Sequence, residues 1–229
     1  MKNPANAYEE MAAFFDQRAH GYEQHMLATV EDVGAFYASL VDALPNEPSR
    51  PVILDLGVGT GLELETLFDR FPRAAVTGID VSAGMIRRLG DKQRAWSKQV
   101  RTIHGSFLTL DLGQCVYDAV ISAMALHHWT PSIRLGLYRR IQAALRPGGV
   151  FINADYVVSP DEAASLQQMF ENADYEQDHL YHIDLPLSEH QEIELLRAAG
   201  FDPVAVTFRR ANARTFRATV SREATAATG

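Results

Sequence analysis

The sequence predicts an α/β protein built on a doubly wound, mainly parallel β-sheet. Between residues 51 and 155, short and nearly continuous apolar segments alternate with longer amphipathic segments. Such apolar strands are typical of a parallel sheet that helices cover on both faces. Crossovers between parallel strands are right-handed, which makes the predicted sheet doubly wound. Near the C-terminus, two segments alternate apolar and polar residues and predict a terminal antiparallel hairpin.

A helical extension is predicted to precede the sheet. Aromatic and apolar residues recur at three- and four-residue spacing over residues 5–44, with a break at Gly21 or Thr29. The two prolines of Pro45–Pro48 end this helical segment and form a linker. We therefore expect a helical N-terminal extension or lid at 1–48, a main domain at 49–221 and a disordered tail at 222–229.

Seven strands and five helices are predicted after the linker from the spacing of apolar residues. Arg146–Gly149 and Gly200 end two of the helices, because proline and glycine interrupt helical structure. The predicted strands are 52–56, 75–80, 100–104, 117–122 and 149–154, followed by a hairpin with Val204, Val206 and Phe208 on one strand and Phe216, Ala218 and Val220 on the other. The predicted helices are 61–70, 83–96, 132–145, 160–173 and 188–199.

Charge and composition weigh against several classes of protein. The chain carries a formal charge of −8, whereas proteins that bind nucleic acid usually present a basic face. Cys115 is the single cysteine, so an internal disulfide is excluded and a reducing compartment is expected. We see neither a leader-like N-terminal segment nor an apolar run of about 20 residues. We therefore expect a cytoplasmic monomer or homodimer without nucleic-acid or membrane partners.

The most informative segment is Val52–Gly61, in which an apolar strand runs into a glycine-rich turn. Such a turn lets the backbone approach a nucleotide-like ligand closely, and Asp80, at the end of the next strand, is placed to bind ribose hydroxyls. A dinucleotide-binding fingerprint has its third glycine five residues after the first, where this chain has Leu62. The GxGxG spacing with Asp55 upstream therefore points to S-adenosylmethionine rather than NAD.

Five segments, in this order along the chain, resemble the motifs of the class I S-adenosylmethionine-dependent methyltransferases. Phe14–Tyr22 and Tyr181–Asp184 are similar to a bacterial subgroup of small methyltransferases whose substrates are mostly unassigned. Leu195–Phe201 is similar to the helix-to-strand junction of carboxy-S-adenosylmethionine synthases. The five segments that resemble the class I motifs are Leu54–Gly61, Gly78–Ser82 with Met85, Gly105–Phe107, Tyr117–Ser122 and Leu145–Gly149.

The resemblance implies a Rossmann-like fold and methyl transfer from S-adenosylmethionine to an O, N or C atom of a small molecule, with S-adenosylhomocysteine as product. The cofactor pocket then needs glycines for close approach, acids for the ribose and the cationic end, and apolar walls for adenine. Val58 and Ser106 depart from the family pattern, which usually has a smaller residue and often an aspartate at these positions. The implied cofactor-binding residues are Asp55, Gly57, Gly59, Gly61, Asp80, Val81, Met85, Ser106, Phe107 and Ser122.

Three residues are candidates for catalysis. His127 and His128 follow the fourth strand, at the edge where open α/β sheets bind ligands, and either imidazole has a pKa suited to a general base. Alternatively, one of them packs or caps the next helix. Tyr22 lies on the segment that forms a lid in related enzymes, or else on an ordinary amphipathic helix face. No metal site is expected, because adjacent residues point apart and no third ligand stands at a useful spacing.

Other polar residues are candidates for the acceptor site. His25 on the extension and Tyr156 and Tyr181 in the later part of the chain have residue types that suit the wall of such a site, although surface loops and helix faces also hold them. A cluster of arginines in the hairpin favours a solvated edge that discourages pairing with other strands, or recognition of an anionic acceptor. These arginines are Arg209, Arg210, Arg214 and Arg217.

Three further functions are left open by the residues. A carboxy-S-adenosylmethionine synthase-like enzyme has the same fold and cofactor but a different reaction. A non-catalytic S-adenosylmethionine-binding protein, such as a sensor or a partner subunit, lacks an acceptor pocket. A nicotinamide-dependent oxidoreductase is disfavoured by Leu62, which breaks the required glycine spacing.

Overall fold

A seven-stranded mixed β-sheet forms the centre of the protein. The computed structural model describes residues 10–92, 96–172 and 182–222. The strands are β1 (Val52–Leu56), β2 (Ala75–Asp80), β3 (Val100–His104), β4 (Tyr117–Ala123), β5 (Leu145–Tyr156), β6 (Val204–Arg210) and β7 (Ala213–Thr219). They lie in the order β3-β2-β1-β4-β5-β7-β6, and β7 runs antiparallel to both of its neighbours. The predicted fold class is therefore confirmed.

Helices flank the sheet and form the N-terminal extension. Among the residues described, none of them is long and apolar enough to cross a membrane. They are α1 (Met11–Arg18), α2 (Tyr22–Thr29), α3 (Val33–Asp42), α4 (Leu64–Arg70), α5 (Ala83–Lys92), α6 (Pro131–Ala144), α7 (Pro160–Glu171) and α8 (Glu189–Ala198).

Two buried clusters lie on the opposite faces of the sheet. Ile53 and Leu54 on β1 belong to different clusters and are both fully buried, because successive side chains of a strand point to opposite faces. Helices α3 and α4 contribute Phe36 and Leu64 to the first cluster, and α6 contributes Tyr138 to the second. Burial on both faces explains why the central strands are nearly continuous runs of apolar residues.

The strand order reverses between β1 and β4, which pair in parallel at the centre of the sheet. From this point the sheet continues through β2 and β3 on one side and through β5 on the other. Asp55, Asp80 and Ser122 all lie at or near the carboxyl ends of their strands. Open α/β sheets hold their ligands at such a switch point, outside the carboxyl ends of the strands.

The N-terminal extension consists of three helices rather than one interrupted helix. It breaks at Gly21, which precedes α2, and again after Thr29, where Asp32 adopts a left-handed φ of 51° and its side chain accepts from the backbone N–H of Ala35. Asp16 on α1 ties the extension to the main domain. Its Oδ1 accepts from Ser82 Oγ at 2.6 Å and from the Gly84 N–H at 2.8 Å, at the start of α5.

Several predicted boundaries differ from the structure. Helix α4 begins three residues later than predicted, because Gly61 has a left-handed φ of 69° that a helix cannot contain. Strand β5 begins at Leu145 instead of 149, because Leu145 pairs with Tyr117 before the register shifts. The other helix ends differ by one or two residues, except that the predicted end of α5 runs into 93–95, which lie outside the described residues. The tail expected at 222–229 lies outside them as well, apart from Arg222.

Candidate active site

The glycine turn after β1 has a backbone conformation that other residues rarely adopt. Gly57, Gly59 and Gly61 have φ of 76°, 51° and 69°, in the left-handed region that favours glycine. Space is also restricted, since a Cβ on Gly57 would lie 2.6 Å from Ala125 Cβ. The backbone N–H groups of Gly57 and Val58 donate to Ile79 O, which fixes the turn beside the end of β2.

Val58, which departs from the family pattern, fits the turn without crowding it. The side chain is 2% exposed and packs on β2 opposite Gly78. A Cβ on Gly78 would lie 2.7 Å from Val58 Cγ1, so the larger side chain in the turn occupies space that glycine leaves free on the neighbouring strand. The departure of Val58 from the family pattern is therefore accommodated by packing against Gly78.

Asp80 is held in place by two backbone donors. Its Oδ2 accepts from the Gly59 N–H and its Oδ1 from the Ser82 N–H, both at 2.8 Å. Burial raises the pKa of this carboxyl above its usual value, although the two hydrogen bonds oppose that effect. The bonds link the carboxylate to the glycine turn and to the start of α5, and Asp80 also lines the adjacent pocket.

A narrow, largely apolar pocket lies against the turn and Asp80. Its free volume is about 50 Å³, because the extension places Met11, Phe15 and Tyr22 along it. Trp129 Nε1 is buried in this region and has no hydrogen-bond partner among the described residues. The full lining is Met11, Phe15, Tyr22, Gly57, Gly59, Asp80, Val81, Met85, Phe107, Ala123, Met124, Ala125, His128 and Trp129.

Four predicted cofactor-binding residues lie outside this pocket lining, namely Asp55, Gly61, Ser106 and Ser122. Ser122 is fully buried and donates to Leu56 O at 2.8 Å, so that it ties β4 to β1. Ser106 starts a local turn in which its Oγ accepts from the Leu108 N–H at 3.2 Å. Asp55 lies beneath the glycine turn and is 2% exposed. Gly61 belongs to the glycine turn and lines a second, smaller cavity, which Glu63, the hydrogen-bond partner of Asp55, also lines.

Asp55 and Glu63 form a buried pair of acids beneath the glycine turn. Burial raises the pKa of Glu63 to about 7, and burial followed by the charge of Glu63 raises that of Asp55. The two carboxyls share a hydrogen bond, but Asp55 Oδ2 and Glu63 Oε1 have no further partner among the described residues. Tyr22, hydrogen-bonded to Tyr37, closes the cavity from the extension. Unpartnered buried carboxylate oxygens suit a positively charged ligand.

His127 is oriented by Asp155, a residue that sequence reasoning did not identify. His127 Nδ1 lies 2.6 Å from Asp155 Oδ1, and Asp155 Oδ2 accepts from the backbone N–H groups of Leu126 and His127 at 3.2 and 3.1 Å. Burial alone would raise the pKa of Asp155, but the adjacent His127 and then Arg134 bring it below its usual value. A carboxylate at Nδ1 leaves Nε2 of the imidazole free to face a substrate or an ion.

His128 turns the same way as His127 rather than away from it. Both residues lie in a turn and not in a strand, and their ring centroids are 3.9 Å apart. His128 Nδ1 lies 3.1 Å from Asp184 Oδ1, and His127 Nε2 lies 3.6 Å from the same oxygen. Burial and then His127 lower the pKa of His128 to about 4. Contrary to the sequence argument, the adjacent histidines thus converge and a carboxylate joins them.

A larger cavity of about 660 Å³ opens beside the narrow pocket. The predicted residues Tyr22, His25, Tyr156, His127 and His128 all line it, whereas Tyr181 lies outside the described residues. It shares part of its wall with the narrow pocket, namely Phe15, Tyr22, Met124 and His128. Its full lining is Phe14, Phe15, Gln17, Arg18, Gly21, Tyr22, His25, Met26, Met124, His127, His128, Tyr156, His182 and Asp184.

Comparison with known proteins identifies a methyltransferase domain in the chain. Residues 53–149 match a family described as a methyltransferase domain. The carboxy-S-adenosyl-L-methionine synthase of Nautilia profundicola is 28% identical over 190 residues, 77% of this chain and 80% of the relative. The malonyl-[acyl-carrier protein] O-methyltransferase of Xylella fastidiosa is 28% identical over 171 residues, 73% of this chain and 52% of the relative. Residues 53–149 therefore form a methyltransferase domain of the class I S-adenosylmethionine-dependent type.

Solved structures show the same fold at low sequence identity. Human N-acetylserotonin methyltransferase, solved with S-adenosylmethionine, aligns with a TM-score of 0.67 at 20% identity over 96% of this chain and 60% of that one. DhpI, solved with S-adenosylhomocysteine, aligns with a TM-score of 0.68 at 20% identity over 92% and 95% of the two chains. This methyltransferase therefore spans nearly the whole of DhpI but about half to three-fifths of the Xylella and human proteins.

The hairpin arginines of this methyltransferase lie away from both cavities. Arg209 and Arg214 pair with Glu189 at 2.7 Å, and Arg210 pairs with Glu31 at 3.2 Å. None of the hairpin arginines lines the narrow pocket or the larger cavity. These contacts favour the solvated edge over the recognition of an anionic acceptor.

Proposed function

We propose that this methyltransferase moves a methyl group from S-adenosylmethionine to an O, N or C atom of a small molecule in the larger cavity. The observation that carries the proposal is the junction of two compartments at the carboxyl edge of the sheet. One is bordered by the glycine turn and Asp80, and the other by His127 and His128. They share the wall formed by Phe15, Tyr22, Met124 and His128, across which a methyl group can pass.

The residue types that line the narrow pocket fit the cofactor, and the pocket of about 50 Å³ has to widen to admit it. The left-handed glycines leave room for a close approach, Asp80 offers an oriented carboxylate to ribose hydroxyls, and Phe107 and Trp129 offer aromatic walls. The unpartnered oxygens of the Asp55–Glu63 pair suit the cationic end of the ligand. When bound, S-adenosylmethionine supplies a methyl group activated by a positively charged sulfur.

The chain's own contribution is to position the acceptor and to remove its proton. An acceptor in the larger cavity forms a bond to the methyl carbon as the C–S bond breaks and its electrons stay on sulfur, which leaves S-adenosylhomocysteine. Alignment of the acceptor with the methyl group alone corresponds to an effective molarity of about 10⁵ M or more. Assistance in removing the proton adds about 10²–10⁴-fold. We assign this role to His127, which Asp155 holds by a hydrogen bond and which lines the larger cavity.

Carboxy-S-adenosylmethionine synthesis is the second candidate function. It is favoured by the match to the Nautilia synthase, which extends over 80% of that relative. Mass spectrometry of the nucleoside that copurifies with the protein separates the two functions, because a carboxylated cofactor is heavier than S-adenosylmethionine. A carboxylated ligand in the purified protein would favour the second function.

The main test compares two variants, each of which changes a residue in a different compartment. We expect Asp80→Asn to weaken S-adenosylmethionine binding by roughly tenfold or more, since hydrogen bonds to a charged group contribute about 1.5–3 kcal/mol. His127 lines the larger cavity but not the narrow one, so His127→Ala should keep the affinity and lower kcat by about 10²–10⁴-fold. Calorimetry gives the affinity, and S-adenosylhomocysteine formed with a panel of phenols, amines and carboxylic acids gives kcat.

Three outcomes of this test contradict parts of the proposal. Wild-type protein that does not bind S-adenosylmethionine would exclude the cofactor assignment. Tight binding without turnover on any acceptor, together with a His127→Ala variant that binds the cofactor as the wild type does, would favour a non-catalytic binding protein. Equal loss of affinity in both variants would contradict the division into two compartments. The extension at 1–48 as a lid, the cytoplasmic location and the monomeric or dimeric state stay predictions.

A further inference from the structure

His127, His128 and Asp184 converge on one point in the wall of the larger cavity. His127 Nε2 and His128 Nδ1 lie 3.6 and 3.1 Å from Asp184 Oδ1, and one ligand atom of each residue lies within 4.8 Å of the others. Two imidazole nitrogens and a carboxylate oxygen form a ligand set that suits zinc and other first-row divalent ions. We propose that these residues bind such an ion, zinc above all.

The two distances to Asp184 Oδ1 fit tetrahedral coordination. Zinc lies about 2.0–2.2 Å from nitrogen and oxygen ligands, which places neighbouring corners of the tetrahedron about 3.4 Å apart. The two measured distances to Asp184 Oδ1, 3.1 Å from His128 and 3.6 Å from His127, lie on either side of this value. The ligand atoms of all three residues lie within 4.8 Å of one another, so an ion between them requires the side chains to adjust.

Asp155 provides the outer partner that a metal-binding histidine needs. Its Oδ1 lies 2.6 Å from His127 Nδ1, and because a carboxylate only accepts, Nδ1 carries the proton. The lone pair on Nε2 then faces Asp184. Metal-binding histidines almost always donate their other N–H to a carboxylate, a carbonyl or water, which fixes the tautomer and the ring orientation.

A metal-free hydrogen bond accounts for less of this geometry. A proton on His128 Nδ1 explains its 3.1 Å contact with Asp184 Oδ1 and its 3.2 Å contact with Ile183 O. It leaves His127 Nε2 facing the same carboxylate oxygen at 3.6 Å, too far for a hydrogen bond. A divalent ion gives all three ligand atoms a common partner. It also gives a reason for two adjacent imidazoles to turn to the same side.

The open side of this site faces the acceptor. Asp184 has a 53% exposed side chain and lines the cavity of about 660 Å³, so an ion held here keeps a coordination position towards the cavity. The catalytic part of the inference rests on the proposed function. An acceptor hydroxyl or amine bound at the open position has a lowered pKa and loses its proton to solvent before transfer. In the ion-bound protein, this route replaces the general-base role that the proposed function gives to His127.

The experiment measures metal binding directly, apart from turnover. Protein stripped with a chelator is titrated with Zn²⁺ by calorimetry and with Co²⁺ by visible absorption, which reports tetrahedral coordination. We expect one ion per chain in the wild type and loss of the cobalt spectrum in Asp184→Asn, a near-isosteric change at a half-exposed residue. Asp155→Asn should weaken zinc binding by about 10–100-fold, the usual effect of an outer partner. His190→Ala, on the exposed surface of α8, is the matched control and should bind as the wild type does.

The outcomes separate this inference from the proposed function. Absence of saturable Zn²⁺ and Co²⁺ binding in the wild type, or equal binding in Asp184→Asn, overturns the metal site. Binding of S-adenosylmethionine and full turnover in excess chelator would then leave the proposed function intact. Conversely, one bound ion with the expected loss in Asp184→Asn supports the site even if no methyl transfer is found. Melting curves with S-adenosylhomocysteine confirm that each variant is folded.

Discussion

At the scale of single residues, the glycine turn is fixed both by backbone conformation and by lack of space. Gly57 has a φ of 76°, and a Cβ there would lie 2.6 Å from Ala125 Cβ. Strained left-handed residues other than glycine cost about 1–3 kcal/mol. We expect Gly57→Ala to lower the free energy of unfolding by at least about 1–3 kcal/mol and to weaken cofactor binding. Urea unfolding and calorimetry measure the two effects.

Gly136 is the matched control for this substitution. It lies within α6, and a Cβ there would meet no atom within 4 Å. Replacing such a glycine by alanine stabilises a protein by about 0.4–1 kcal/mol, because the unfolded chain loses conformational freedom. Gly136→Ala and Gly57→Ala should therefore have opposite signs. Similar losses of stability in both variants would show that the strain is not specific to the turn.

The buried pair of acids gives the unliganded protein a characteristic pH dependence. Burial raises the pKa of Glu63 to about 7, whereas a glutamate in an unfolded chain has a pKa near 4.3. A raised folded-state pKa contributes stability that is complete below the unfolded value and is lost as the pH rises through the folded value. We therefore expect Glu63 to cause a loss of roughly 1–3 kcal/mol in unfolding free energy between about pH 4.5 and 7.

Glu63→Gln tests this dependence, because the amide does not titrate. As the pH rises from about 4.5 to 7, the variant should become more stable relative to the wild type, because only the wild type loses the contribution of Glu63. Glu65→Gln, at an exposed position of α4, is the control and should leave the pH profile unchanged. A pH profile of Glu63→Gln that runs parallel to that of the wild type would contradict the raised pKa.

At the scale of elements, a buried polar network joins the two segments that carry the histidines and Asp184. Glu192 on α8 accepts from Arg134 Nη1 at 2.9 Å, from Asn153 Nδ2 at 3.1 Å and from the Tyr138 hydroxyl. The same Arg134 donates to Trp129 O, next to the histidines, at 3.0 Å and to Leu185 O, next to Asp184, at 2.7 Å. The network thus holds in place, from the buried side, the segment with the histidines and the segment with Asp184, which both line the larger cavity.

Removing Glu192 should therefore destabilise the fold and disturb the cavity together. Glu192→Ala leaves the buried Arg134 without its counter-ion, which costs about 3–5 kcal/mol. Glu194→Ala, on the same helix, removes an exposed pair with Arg197 and should change the unfolding free energy by about 0.5 kcal/mol or less. Chemical denaturation measures both. If Glu192→Ala lowered the free energy of unfolding no more than Glu194→Ala does, a structural role for the network would be contradicted.

The elements themselves were predictable where the sequence pattern is purely local. Strands β1, β2 and β3 have the predicted bounds, because each is a short segment rich in apolar or β-branched residues that ends at polar or turn-forming residues. The start of β5 was not predictable. Arg146–Gly149 has the composition of a turn, but Leu145 already pairs with Tyr117. Pairing between residues distant in sequence determined that boundary, and local propensity does not contain such information.

At the scale of the whole molecule, the two compartments differ in how far the sequence revealed them. The glycine turn and Asp80 lie within one local motif, and spacing alone was enough to predict them. Asp155 could have been found from its place near the carboxyl end of β5, the edge at which ligands bind. Asp184 lies in a segment, Tyr181–Asp184, that resembles a methyltransferase subgroup, but nothing local predicted its contact with the histidines, because only the folded chain brings the two together.

The cofactor should stabilise the molecule as a whole, since it binds the folded state alone. A ligand at about 100 times its Kd adds about 2.7 kcal/mol. For a chain of this size, 1 kcal/mol raises Tm by about 2–4 °C, so saturating S-adenosylhomocysteine should raise Tm by roughly 5–11 °C. NADH at the same concentration should leave Tm unchanged, because Leu62 stands where a dinucleotide turn needs glycine. An equal rise with NADH would mean that the site recognises the nucleoside and not the methionine part of the cofactor. It would contradict our assignment of the methionine part to the acids beneath the turn.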